Sequence, residues 1–310
     1  EIKGDSDHTK LIDMLTDLND YSIGIEDVLK EHFDEENIVY WMAFQILMGN
    51  VDTQNRNVYL YSPLNSDIWY FIAWDNDGCL MRPEYELRNF SDQNSWEKGI
   101  SNYWGNILFQ RCLKSRSFRE KLNDAILDLR EYLNKDMLTS KIESYKNVLK
   151  PYLYLMPDAE YEPLTSEQYD QIAASLPDEI EKNYQLYLES LETPMPFYIG
   201  VPTIDGDKLK FNWDVSYDLD AEDITYSVEV AGDYLFRDVI YQNTTLTVPE
   251  AEMDLPKAGQ YFVRVRATNT SGKTQDAFDY YVTDEGKYYG MRCFYITEDS
   301  TVEEDDYEEG

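Results

Sequence analysis

The period of the apolar residues changes once along this chain, at Thr193-Pro194-Met195-Pro196, and that change limits the possible folds more than any other feature. Before it, apolar side chains recur at helical spacing, first Leu11, Ile12, Met14 and Leu15, then Ile38, Trp41, Met42, Gln45 and Ile46. The same spacing predicts further helices over about 102–114, 116–133, 136–150 and 165–192. After it, the segments are short, β-branched or aromatic, and bounded by Gly, Asp and Asn, as strands are. A helix-period pattern does not settle as a strand, nor the reverse, so two bodies are expected. The length of 310 residues agrees with two domains. We expect an α+β multidomain chain with a mainly helical part over 1–193, an all-β part over 194–285 and an acidic tail or linker over 286–310. From Glu298 onward carboxylates face no basic residue, and their repulsion favours a solvated tail.

Within the helical part, the segment Glu35–Met48 is apolar nearly all round, which marks a helix at the centre of its domain, and Gly49-Asn50 is its stop. Two β-rich runs, Asn57–Tyr61 and Ile68–Trp74, flank the turn residues Ser62-Pro63-Leu64-Asn65-Ser66-Asp67 and predict a hairpin. In the β part, Lys208–Val215, Thr225–Ala231, Thr245–Val248 and Gln260–Asn269 alternate like sandwich strands. Trp213 and Tyr261 are the expected anchors. Leu255, Gly259 and Tyr261 are spaced as in the corner where a tyrosine hydroxyl ties a strand to the preceding turn, although two ordinary core aromatics would also explain them. From about Met195 to Val282 the segment resembles a fibronectin type III module, with Val263-Arg264-Val265-Arg266-Ala267-Thr268-Asn269-Thr270-Ser271-Gly272 as its penultimate strand and turn. That resemblance implies a sandwich without a catalytic site.

Charge and scarce residue types remove several function classes. The 27 basic and 61 acidic residues leave a formal charge of −34, which repels nucleic acid and anionic membrane. No apolar run is long enough for a membrane-spanning helix. Cys79, Cys112 and Cys293 are far apart and odd in number, against both a disulfide framework and a thiolate zinc site. With only His8 and His32, a multi-histidine metal centre is impossible and a Ser–His–Asp triad is poorly supplied. Oxygen-ligand chemistry remains.

The residues for it stand together. Gly49-Asn50-Val51-Asp52-Thr53-Gln54-Asn55-Arg56-Asn57 is followed by the hairpin and then by Trp74-Asp75-Asn76-Asp77-Gly78. Phosphoryl transfer needs a carboxylate to take the proton of the attacking hydroxyl and oxygen ligands to hold magnesium against the phosphates. Protein kinases place an Asp and an Asn five positions apart on a loop after a buried helix, then a hairpin, then a metal-binding Asp. Asp52, Asn57 and Asp75 repeat that order, with Asp77 beside the last. In so acidic a chain an Asp five before an Asn also arises by chance. Asp75 as a turn cap and Trp74 as a core residue are the plainer readings of each alone. Asp52 and Asp75 as a paired-carboxylate glycosidase is a third reading, which leaves Asn57 without a role.

The region resembles the C-terminal half of the CotH kinase family, the spore coat protein H group of atypical protein kinases, over most of residues 1–190. The resemblance rests on Gly49-Asn50-Val51-Asp52, on Asn57 before Val58-Tyr59-Leu60-Tyr61, and on Trp74-Asp75-Asn76-Asp77. It implies a mainly helical kinase-like C-lobe with a β-hairpin, followed here by the immunoglobulin-like or fibronectin type III sandwich. It further implies Mg2+ and ATP as cofactors, Asp52 as the catalytic carboxylate, and Asn57, Asp75 and Asp77 as metal ligands, with Arg56 as a candidate contact to the nucleotide phosphates. Glu1-Ile2-Lys3 resembles the end of the last strand before the helical half, which puts Lys3 at the lobe junction. No nucleotide-covering lobe precedes Thr9, so a truncated kinase, weakly active or inactive as it stands, is expected. The expected partner is a protein substrate, basic and Ser/Thr-rich, and the expected location is extracellular or on a bacterial cell or spore surface. A non-catalytic adhesion or assembly protein on a degenerate kinase-like scaffold is the alternative. Nothing in the sequence sets the oligomeric state.

Overall fold

The computed structural model describes residues 7–54, 56–80, 96–162, 164–284 and 286–304. The chain divides into two compact units. Among the described residues the first takes those up to Leu80 and Asn106–Tyr187, and the second takes 96–105 and 188–304. The Lys3 reading lies outside the described residues.

The first unit is helical, as the apolar spacing requires: α1 (Thr9–Asn19), α2 (Ile25–His32), α3 (Glu35–Met48), α4 (Ile107–Lys114), α5 (Arg116–Tyr132), α6 (Lys135–Leu153) and α7 (Ser166–Glu192), the last running past Tyr187. The centre is α3, whose Ile38, Met42, Ala43 and Leu47 are fully buried. It starts at Asp34, whose carboxylate accepts from the Asn37 N–H at 2.9 Å, and stops at Gly49, whose φ of 64° is the left-handed conformation a glycine cap supplies. Between α3 and α4 lies an antiparallel hairpin of β1 (Tyr59–Tyr61) and β2 (Tyr70–Ile72), with Leu60 opposite Phe71.

The hairpin is latched to α3 by side chain and by packing. The Asn37 amide meets the Phe71 backbone both ways, donating to its carbonyl at 3.2 Å and accepting from its N–H at 2.6 Å, as a neighbouring strand would. Trp69 N–H donates to the His32 carbonyl at 2.7 Å and Asp34 N–H to the Trp69 carbonyl at 3.2 Å. The Phe71 ring is buried 4.7 Å from Trp41 and 5.8 Å from Phe109. One face of the hairpin is thus in the core and the other, with Tyr59, Tyr61 and Ile72, is exposed.

The second unit is two sheets on one core. A six-stranded sheet runs β13 (Val302–Glu304), β12 (Met291–Ile296), β8 (Gly259–Asn269), β5 (Ile224–Ala231), β6 (Val239–Leu246), with β9 (Thr274–Asp276) also on β8. A three-stranded sheet runs β3 (Thr203–Asp205), β4 (Lys208–Asn212), β7 (Glu250–Asp254). Alternate residues of β8 and β5, Val263, Val265, Val228 and Val230, meet Leu209 and Phe211 of the smaller sheet. Trp213 and Tyr226 join that core, and the Tyr261 hydroxyl donates to the Lys257 carbonyl at 2.9 Å, tying β8 to the turn before it.

Residues 286–304 correct the expectation of an acidic tail or linker beginning at 286. They form strands, and β12 is interior: it pairs with β8 from Met291 opposite Arg264 to Ile296 opposite Gly259, with Phe294 fully buried. The alternation of Met291, Cys293 and Tyr295 against Phe294 and Ile296 covers both sheet faces, because the hairpin of β10 (Tyr280–Thr283) and β11 (Gly286–Tyr289) brings Tyr281 and Tyr288 over the outer one. No helix among the described residues is long and apolar enough to cross a membrane.

Candidate functional site

The site grows from the C-terminal end of α3. Gly49 turns the chain out of the helix, and a Cβ there would sit 2.7 Å from Nδ2 of Asn183, whose amide donates to the Leu47 carbonyl at 3.0 Å. The chain continues as a 3-10 turn, Val51–Gln54, which carries Asp52 at its rim while Thr53 is buried and donates from Oγ1 to the Asn50 carbonyl at 2.9 Å. On the far side of the hairpin a second 3-10 turn, Asn76–Gly78, follows Asp75. Leu80 N–H donates to the Met48 carbonyl at 2.7 Å, which returns the chain to the end of α3.

That return gathers the acids. The Asp75 carboxyl is pushed above the usual aspartate range, first by the charge of Asp77, then by desolvation and a hydrogen bond to Asp77, with Asp52 adding to it. Asp77 is thus close enough to raise Asp75, and the charge of Asp52, 23 positions before Asp75, is felt there as the smallest of the four causes. Asp75 and Asp77 are exposed rather than shut beneath apolar packing. Asp75 has a φ of 50° and makes no capping bond with its side chain, so a turn-cap role does not explain it. Trp74, expected in the core, is instead 53 % exposed and lies 5.0 Å from the Tyr59 ring, because it stands on the open face of the hairpin.

The remaining sequence-predicted residues sit on the first loop. Arg56 is exposed, and Asn57 is half-buried with a φ of 52°. Among the described residues no hydrogen bond joins Asn57 to the acidic turn. Cys79, next along the chain, has its thiol pushed up to about 11 by burial and then by Asp77, which makes it a poor nucleophile.

Sequence reasoning missed the side chains beneath the acids. Gln45 and Asn50, both buried, each donate to Asn76 Oδ1, at 3.1 and 3.3 Å. Among the described residues Oδ1 of Asn50 is buried without a hydrogen-bond partner, on the amide that touches Asn76. The readable signal was Gln45 itself, a polar residue inside an apolar helical stripe. A cavity of about 410 Å³ in this unit lies between α6 and the start of α7, lined by Lys146, Asn147, Lys150, Pro151, Tyr154 and Ser166, none of them part of the acidic turn.

This order of helix end, loop acid, hairpin and acidic pair falls inside a match to a known family, described as CotH kinase protein, that covers residues 1–187. The chain belongs to the CotH kinase family. No curated protein matches it. Among solved structures, surface layer protein SbsC, domains 1-6, is 12 % identical over 91 % of this chain and 32 % of its own, with a TM-score of 0.18 that carries no structural argument. This CotH-family chain thus spans about a third of the length of that protein.

Proposed function

We propose that the chain supplies the catalytic half of an atypical Mg2+- and ATP-dependent protein Ser/Thr kinase at a cell or spore surface. Membership of a kinase family supports it. The observation that carries it is the exposed pair Asp75 and Asp77 where the chain returns to the end of a buried helix, with Asp77 close enough to raise the Asp75 carboxyl.

The residues present fit a magnesium ion by donor chemistry. Among the described residues no group of three His, Cys, Asp or Glu side chains is arranged to hold a metal. Magnesium does not need one, since it keeps several waters and takes one or two carboxylates together with substrate phosphates. Asp75 and Asp77 are such a pair, close enough for the charge of Asp77 to raise Asp75 and repelling without a cation between them. Asn57, on the first loop, would be a further oxygen ligand. A bound magnesium ion would neutralise charge that develops on the transferred phosphoryl group. Asp52 accepts the proton of the attacking hydroxyl, and Arg56 meets phosphate oxygens. A formal net charge of −34 favours a basic, hydroxyl-bearing polypeptide as acceptor. The second unit acts as a fibronectin type III-like carrier. The facing sheets and the Tyr261 tie to Lys257 support that reading.

The test is a calorimetric titration with Mg-ATP. Saturable binding that is lost without magnesium and lost in Asp75→Ala supports the proposal. Metal-independent binding, or none, contradicts it. That no group of three such side chains is arranged to hold a metal among the described residues favours a second reading, a kinase-like scaffold for adhesion or assembly, and the same null titration would support it.

A further inference from the structure

Gln45 is 1 % exposed in the last turns of α3, at a position where the helical stripe is otherwise apolar. A leucine or methionine would fill the same volume, and a buried amide is costly unless it is bonded. It is bonded on both sides. Oε1 accepts from Nδ2 of Asn50 at 3.1 Å, Nε2 donates to Oδ1 of Asn76 at 3.1 Å, and Nδ2 of Asn50 closes the triangle on the same oxygen at 3.3 Å. The three amides join the end of α3, the residue two before Asp52, and the residue between Asp75 and Asp77.

The turn they hold would otherwise open. Asp75 stands in the left-handed region at φ 50°, which a non-glycine residue adopts at a cost, and its neighbour two residues on carries the same charge. Both penalties relax if the turn unwinds and the carboxylates separate. With the Asn76 side chain drawn down onto two buried donors, the residues on either side of it are left at the surface. We propose that Gln45 is a positioning residue for the acidic turn: by holding Asn76, directly and through Asn50, it keeps Asp75 and Asp77 together on the side where a divalent cation is bound. The proposal rests on reading Asp75 and Asp77 as that cation pair. Its effect should match that of other residues that orient metal ligands, about 10–100-fold in metal affinity.

The test uses Gln45→Met, which keeps chain length and apolar volume and removes both bonds. Two readouts are taken on the whole chain: Mn2+ affinity by electron paramagnetic resonance, and metal-free hydrogen exchange at Cys79 and Leu80, whose N–H groups donate to the Asn76 and Met48 carbonyls. The expected result is exchange at those two amides faster by about tenfold or more with α5 amides unchanged, and Mn2+ affinity lower by about 10–100-fold. Gln45→Leu, which can neither donate nor accept, should behave as the methionine variant does. Unchanged exchange and affinity in both variants would overturn the proposal and leave the cation site standing. Faster exchange in a chain that never binds Mn2+ would keep the positioning role and remove the cation reading. Should Gln45→Met fail to fold, Asn76→Ala, at a half-buried loop position, removes the shared acceptor and is read by the same two measures.

Discussion

Asp75 and Asp77 are the clearest case of residues whose placement costs the free chain something. Asp77 raises the Asp75 pKa above its value in an unfolded chain, so the folded state binds that proton more tightly. Stability from this pair is therefore highest below the unfolded aspartate pKa, falls as pH rises through the shifted value, and stays low above it. Asp77→Asn removes the opposing charge. In metal-free buffer it should raise the melting temperature at about pH 7, and the difference should shrink as pH falls toward the ordinary aspartate range of about 3.9, where Asp75 holds its proton in the folded chain. Magnesium should stabilise the native pair at about pH 7 and have no effect on the variant at the same concentration. Equal melting curves for the two proteins across that range would show that the carboxylates stand apart.

Asn37 makes the same kind of argument for an element. Its amide replaces a missing strand beside Phe71, and without it the hairpin would rest on ring packing and two backbone bonds. Asn37→Ala strands a buried N–H and a carbonyl and should cost about 2–3 kcal/mol, read as a lower denaturant midpoint at unchanged slope. A loss of a few tenths would mean that the rings alone hold β2. Helices were legible at this scale because each has a long apolar stripe with a period of 3.6. The predicted 116–133 and 165–192 lie within a residue or so of α5 (Arg116–Tyr132) and α7 (Ser166–Glu192). The hairpin and the acid order were legible from turn residues and spacing. The latch was not, because an Asn one turn into a helix has no sequence mark that says which backbone it will meet. Gln45 carried a mark, its polarity, but not its partners, one of which comes from 31 residues further on and the other from five residues on, across the helix cap. Strand β12 was hidden by composition: the acids that follow it dominate the window, while Met291, Cys293 and Phe294 give the alternation that pairs it with β8.

At the scale of the whole molecule, the boundaries that composition suggests are not those that packing makes. A fragment 194–285 would lack β12, and with it Phe294, Ile296 and the Met291–Cys293 cover on the outer face of Phe262. It would also lack Trp96, whose indole N–H donates to the Phe278 carbonyl at 3.1 Å and whose ring lies 6.0 Å from Tyr289. That fragment should show no cooperative melt, whereas the whole chain should melt cooperatively; a two-state transition in the fragment would mean that β12 is dispensable. The charge of −34 acts at this scale too, so moderate salt should stabilise the whole chain by screening self-repulsion. The most direct measurement of the central claim is anomalous scattering from crystals grown with Mn2+ and a non-hydrolysable ATP analogue. The account predicts a metal peak about 2.1 Å from carboxylate oxygens of both Asp75 and Asp77, with analogue phosphate oxygens completing its shell. A metal peak elsewhere, or nucleotide bound with the two carboxylates turned apart, would contradict it.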